Sequence, residues 1–453
     1  MAATISDTDA RPELHAVLRG LAAVPPPPLV SPSFLMPPPE VRHLELVPEA
    51  VLDAMRPAWE QVWFPPRPFE FRVVEDVFVA EYGLVFHRNG RVIEDTIEQH
   101  PPAVVDRMRQ AVRLLAPGAC PALPGTVVLC RKPGAGTYGH WLAELLPRAF
   151  LARHWPQPAR FMVQNMVGRS ISTLTLQSLA CLGIAGDAII HGGRDPVWVE
   201  RLVLVQGLTS HGQYMSPLAV DCLQAIAGPV PAEGAEAIIV TRPGALGRRI
   251  VGEAQFLQAA QAAGFAVLDP GGMPFQAQIA AFKAARRIIG VMGSALANLA
   301  FTQPGAEVFM LAPATMPDTF FWFLSEHRRL NLVEIRCEQE PAGGVADYRC
   351  DDIRLTPDDA MRVLDRGVPP PPRQAELFDA AYYRAHNRDI GEPGMDLLAH
   401  YMEIGWKQGR RPSAAFDGDR YLAAYGDVLA AGLNPLFHFL RYGRKEGRQA
   451  FAD

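Results

Sequence analysis

Cysteine motifs, long apolar runs and an excess of one charge are all missing from this chain. Its six cysteines, Cys120, Cys130, Cys181, Cys222, Cys337 and Cys350, form no C-x-x-C pair and follow no metal-type spacing. That removes zinc ribbons and dithiol redox centres, and leaves small core residues in a reducing compartment. No apolar run reaches about 18 residues, so no membrane-spanning helix is expected. Met1–Arg19 carries Asp7, Asp9 and Glu13 where a secretory signal needs an unbroken apolar stretch. The formal net charge is −5, which gives no footprint for nucleic acid. The expected location is cytoplasmic, either free or peripheral at the inner membrane.

The remaining composition fits a globular enzyme, and 453 residues suffice for two or three domains. Pro25–Pro28 and Pro37–Pro39 mark residues 1–45 as a stiff, Pro-rich N-terminal leader outside the core. From about Phe71 the pattern turns α/β. Strand-like runs at Arg72–Val74, Val77–Ala80 and Leu84–Phe86 precede strands at Thr126–Cys130, Phe161, Ala188–Ile190 and Leu202–Val205, with a helix over Ser170–Leu182. A second series runs strand 237–240, helix 251–263, strand 265–268, helix 274–285, strand 287–291, a helix from Ala295, and strand 308–311. Alternation of this kind predicts parallel sheets covered on both faces. The expected fold class is α/β: two Rossmann-like domains, 46–230 and 231–367, facing each other across a cleft. A Pro-rich linker, 368–376, then leads to a small helical domain of two 38-residue repeats, 377–453. In that tail Phe378, Tyr383, Asp389, His400, Gly405, Gly409 and Arg410 return 38 residues later as Phe416, Tyr421, Asp427, His438, Gly443, Gly447 and Arg448. His400 and His438 are expected to make the same structural hydrogen bond in each unit.

Chemistry concentrates in three places. The first is Tyr138-Gly139-His140-Trp141-Leu142-Ala143-Glu144-Leu145-Leu146-Pro147-Arg148, where a strand and a glycine turn lead into a helix. His140 and Glu144 lie four residues apart on one helix face, which pairs an imidazole with a carboxylate. An incidental surface pair is the plain alternative. Gly134, Gly136 and Gly139 also spell G-x-G-x-x-G, the signature of a dinucleotide site. Such a site wants an acidic residue about 20 positions on, and no Asp or Glu lies between Glu144 and Asp187. The second place is Thr241-Arg242-Pro243 with Arg248, Arg249 and Glu253. Arg242 ends a strand, and guanidinium forks match phosphate oxygens, although a salt bridge to Glu253 would occupy one of Arg248 and Arg249. The third is Gly290-Val291-Met292-Gly293-Ser294-Ala295-Leu296-Ala297-Asn298. There a helix start rich in small residues offers backbone N–H groups to an anion, with Ser294 and Asn298 as added donors. Close helix–strand packing by small residues is the alternative. Neither D-x-D triplet, Asp7-Thr8-Asp9 or Asp417-Gly418-Asp419, sits at a strand end, so no metal is expected.

These blocks resemble glycosyltransferase family 61. Tyr138-Gly139-His140-Trp141-x-x-Glu144-x-x-Pro147-Arg148 is similar to that family's Y-x-H-W-x-x-E-x-x-P-R block. The Arg242…Arg248-Arg249…Glu253 cluster and the Gly290–Asn298 loop, with Phe301 and Pro304-Gly305 behind it, look like its C-terminal motifs. Met292, Ala295 and Thr137 stand where many members have His, Gly and Asn, so donor preference is not carried over. The resemblance covers roughly residues 70 to 335. It implies a B-type, inverting, metal-independent transferase with a nucleotide-sugar donor and a glycan or glycoconjugate acceptor, and no other cofactor. The tail resembles repeats appended to bacterial polysaccharide-biosynthesis transferases, which implies a surface-glycan context and a protein or membrane-surface partner for the repeats. In this reading His140, oriented by Glu144, is the general base, with Glu144 acting directly as second choice. Arg242, Arg248 or Arg249 and the Gly293–Ser294 helix start hold the leaving diphosphate. A non-catalytic glycan-binding or assembly protein on the same fold, and a nicotinamide-dependent oxidoreductase using the Gly134 loop, are the alternatives.

Overall fold

The computed structural model describes residues 12–21, 29–116, 118–166, 170–184, 186–242, 247–341, 347–365, 377–390 and 394–452. Pro25–Pro28, Asp7–Asp9, Pro243 and the linker prolines Pro369–Pro372 lie outside them.

The β-branched runs of both series pair into sheets, giving a mixed α/β chain in which the described residues form two seven-stranded sheets. In the first, Val197–Gln206, Ala122–Cys130, Ala159–Gln164 and Ile189–Gly192 lie side by side and parallel. The other half is antiparallel. The three short runs expected between Arg72 and Phe86 are in fact two elements. Arg67–Ala80 is one 14-residue strand, antiparallel to Val197–Gln206, and Leu84–His87 folds back on it. A tight turn such as Ala80–Leu84 can only join antiparallel neighbours, because a parallel return needs a long crossover. The all-parallel expectation therefore fails on this side.

In the second sheet, Ala266–Leu268, Ala237–Val240, Arg287–Val291, Glu307–Pro313 and Asn331–Glu340 are adjacent in that order and parallel. Asp352–Arg354 closes the edge antiparallel to Asn331–Glu340. Helices Glu253–Ala262 and Phe275–Ala284 fall close to where their apolar spacing places them. The segment Ser294–Phe301 is a 3₁₀ helix rather than an α-helix. Gly290 explains the close fit of that segment, since a Cβ there would lie 2.8 Å from Leu296 and 3.3 Å from Val240.

The N-terminal leader reading is overturned. Leu14, Val17, Leu18, Leu21, Phe34 and Met36 are buried in the main core. Leu29–Ser31 pairs with Arg67–Ala80 in the first sheet, and Glu40–Arg42 pairs with Asn331–Glu340 in the second. Proline content pointed to a free extended strip, yet extended backbone is also what a sheet edge accepts.

The tail repeats its contacts as well as its letters. Tyr383 meets His400 Nδ1 at 2.9 Å, and Tyr421 meets His438 Nδ1 at 2.9 Å. Arg410 forks onto Asp389 as Arg448 does onto Asp427. Gly405 and Gly443 each lie where a Cβ would strike the preceding tyrosine hydroxyl. The two units share one apolar cluster with Leu35, Val62 and Trp63, and Ser33 bonds Asp396 at 2.7 and 2.6 Å.

Candidate active site

Open α/β sheets bind ligands where strand order reverses, at the carboxyl ends of the two strands flanking that point. In the first sheet those strands are Ala122–Cys130 and Val197–Gln206. Lys132 follows the first, and His211 lies in the loop after the second. In the second sheet they are Ala237–Val240 and Arg287–Val291, followed by Arg242 and by Met292-Gly293-Ser294. The two crevices meet. A Cβ on Gly139 would lie 3.9 Å from Ser294 Cα and from Ala297, and the Tyr138 hydroxyl donates to Asn298 Oδ1 at 2.8 Å.

The helix carrying His140 has three pieces: Tyr138–His140, a π-turn Trp141–Leu145, and α-helix Leu146–Ala152. Pro147 accounts for the π-turn, because it has no N–H and its ring clashes with the carbonyl four residues back. Trp141 pins the turn by donating Nε1–H to Ser178 Oγ at 2.9 Å. Gly134, with φ +83°, leaves room for the His140 ring, since a Cβ there would lie 2.6 Å from its Cδ2. Gly134 and Gly139 thus serve close packing around this site.

Glu144 is 2% exposed and collects three partners. His140 Nδ1 lies 2.6 Å from Oε1 and His211 Nδ1 3.3 Å from the same oxygen, while the buried Lys132 ammonium pairs with Oε2. Glu98 backs Lys132 at 2.7 Å and is itself held by Arg148 at 3.4 Å. Burial pushes the Glu144 carboxyl up, but the histidine hydrogen bonds and the Lys132 charge prevail and hold it well below the usual carboxylate range. The hydrogen bond to Glu144 raises His211 against a smaller opposing effect of burial. Glu144 therefore contributes stability that is complete above its unfolded value near 4.5 and is lost as pH falls through its depressed folded value. Unfolding free energy measured against pH is expected to decline on the acid side, with a smaller decline in Glu144→Gln.

His140, Glu144 and His211 have ligand atoms within 4.8 Å of one another, the spacing of a metal site. Both Nδ1 atoms already converge on one carboxylate oxygen, and the Lys132 cation sits on the other. We assign no metal ligand here.

On the second sheet, Arg242 Nη1 is buried without a hydrogen-bond partner among the described residues, as is Arg248 Nε. A Cβ on Gly293 would lie 3.2 Å from Arg242 Nη1, so the guanidinium lies against the glycine backbone and requires its bareness. Burial and the neighbouring Arg248 push Arg242 down to about 10, so it stays cationic at neutral pH. Arg248 has φ +57° after Gly247 at φ +75°, a left-handed pair that aims its side chain inward. Its N–H donates to Asp351 O at 2.8 Å, and its Nη1 donates to Met292 O at 3.2 Å. Among the described residues no carboxylate pairs with Arg242 or Arg248. Two adjacent cations with no paired carboxylate can receive an anion, although Asp318 offsets part of the Arg248 charge.

Three sequence expectations change here. Arg249 is exposed and pairs with Asp352 at 3.1 Å rather than with Glu253, while it lines the same crevice as Arg242. Glu253 opens its helix and lines the same crevice as Arg242, without a salt bridge among the described residues. Asn298 is fully buried, and besides Tyr138 it donates to Gln278 Oε1 at 2.8 Å and Ala295 O at 3.0 Å. It braces the two halves and is closed to a ligand. Ser294 remains half-buried at the helix start. Sequence reasoning missed Lys132 and His211. The signal for both is position, just beyond the strands that flank the reversal.

No curated protein matches the chain. Among the described residues no helix is long and apolar enough to cross a membrane. A family model described as Glycosyltransferase 61 matches residues 138–309, from the first residue of the histidine helix through the arginine cluster and the glycine loop. By that domain, with its general requirement for a nucleotide-sugar donor and a glycan acceptor, the chain is a glycosyltransferase.

Proposed function

We propose that the chain is an inverting, metal-independent transferase that moves a sugar from a nucleotide-sugar donor onto a glycan or glycoconjugate in bacterial surface polysaccharide synthesis. The observation that carries the chemistry is the geometry of His140. Its Nδ1 is committed to Glu144, and its Nε2 has no partner among the described residues. An ionised carboxylate can only accept, so Nδ1 bears the proton and Nε2 is basic. Nε2 takes the acceptor hydroxyl proton while that oxygen attacks the anomeric carbon, and the carbon–oxygen bond to the diphosphate breaks with its electron pair leaving on phosphate. Arg242, Arg248 and the Gly293–Ser294 backbone receive that charge, the role a metal would otherwise fill. One direct displacement inverts the anomeric centre.

Thermal shift against nucleoside diphosphates and nucleotide sugars, in chelator, tests the donor half of this reading. One nucleotide family is expected to stabilise the protein by mass action. Arg242→Ala is expected to weaken that binding about 10- to 100-fold, the range for hydrogen bonds to a charged group. Unchanged binding in Arg242→Ala, or binding only with added divalent metal, would overturn the assignment.

A further inference from the structure

Two imidazoles share one carboxylate oxygen in this site, and only one of them belongs to the motif helix. His140 and His211 both direct Nδ1 at Glu144 Oε1, with ring centroids 4.7 Å apart and planes tilted by 35°. Like charges at that separation oppose each other, so the pair takes one proton far more readily than two. The charged and titratable groups facing the pair are Glu144, Lys132 behind it, and Asp318 from the opposite half. His211 is the more open ring, with 38% of its side chain exposed against 20% for His140. Asp318 acts on both rings, and the hydrogen bond from Thr319 Oγ1 to Gly212 O at 2.8 Å ties the His211 loop to the Asp318 segment.

We propose that His211 is a positioning residue that carries the pair's shared proton and thereby keeps His140 as the neutral base. Acting from the loop after Val197–Gln206, it competes with His140 for Oε1 and places a positive charge beside it. Both effects disfavour a proton on His140 before the acceptor arrives. Environments that push two coupled groups apart are how one site assigns a charged and a neutral role. The Thr319–Gly212 bond gives the second half of the molecule a hold on that assignment.

The inference rests on His140 as base, so the experiment separates the two. In His211→Asn an amide N–H still reaches Glu144 but cannot titrate, and in His211→Ala both the bond and the charge are gone. The acid limb of the kcat/KM profile is expected to move to higher pH in both variants, by on the order of one pH unit. Binding of the free nucleoside diphosphate should be unchanged. NMR titration of the histidine ring protons, with His140→Asn for assignment, reads the same exchange without turnover: in the intact protein the first proton taken up by the pair should appear on His211. An unmoved acid limb in both variants, together with a first proton that appears on His140, would overturn the role of His211. A first proton on His211 with full activity in His140→Asn would instead overturn His140 as base.

Discussion

A His140→Ala enzyme is expected to lose about 10²- to 10⁴-fold in turnover while holding the donor as before. The argument is one of placement. Among the described residues the His140 side chain makes one hydrogen bond, to Glu144 at 2.6 Å, and it is 20% exposed. Removing it takes one hydrogen bond from Glu144, which keeps His211 and Lys132, so the fold is expected to persist with a modest loss of stability. The arginines proposed to receive the diphosphate follow strands of the other sheet. A large fall in kcat, with the nucleoside diphosphate dissociation constant held and the melting temperature only modestly lowered, is the expected pattern. Turnover that survives would move the base to Glu144, and equal losses in binding and turnover would show a site that had collapsed.

The second large effect is on stability and falls on the Lys132–Glu144 pair. Lys132 and Glu144 side chains are 4% and 3% exposed, so each needs the other's charge. Glu144→Ala leaves the ammonium with Glu98 alone and is expected to cost about 3–5 kcal/mol, as for other buried pairs deprived of one member. Lys132→Met should cost less, because two imidazoles remain to neutralise the carboxylate. Replacing both, as Lys132→Met with Glu144→Leu, should recover much of the stability but none of the turnover. Chemical denaturation of the three variants reads the first two statements, and kcat reads the third. A double variant as unstable as Glu144→Ala would mean that shape rather than charge decides the cost.

What the sequence made legible follows from how local each signal is. The i,i+4 pair His140–Glu144 is written in one stretch of helix, and it survives even though the turn between them is a π-turn. The repeat is legible because 38 residues recur without a gap, which fixes Tyr383–His400 and Tyr421–His438 as the same bond. Arg242 and Gly293 are legible as strand ends, and the reversal of strand order brings them together. Lys132 and His211 are single residues with no local pattern, and only the sheet order assigns them. Asn298 illustrates the opposite failure, since a polar side chain in a glycine-rich loop suggested a ligand and became an internal brace. The leader failed because proline density describes backbone shape and says nothing about which edge the backbone will join.

The N-terminal strip also sets a timetable for folding. Within a few dozen residues it supplies Leu29–Ser31 to one sheet, Glu40–Arg42 to the other, and Ser33 to Asp396 in the tail. The first of these partners, Arg67–Ala80, follows soon in the chain, but Asn331–Glu340 and Asp396 lie roughly 290 and 360 residues further on. At 5–20 residues per second the strip waits roughly 15–60 s for its second sheet. The last step of folding is therefore a closure over most of the chain's length, the kind of contact that slows folding most. Phe34 can stack on Phe64 as soon as that segment is made, but its edge contact with His327 waits for the second sheet.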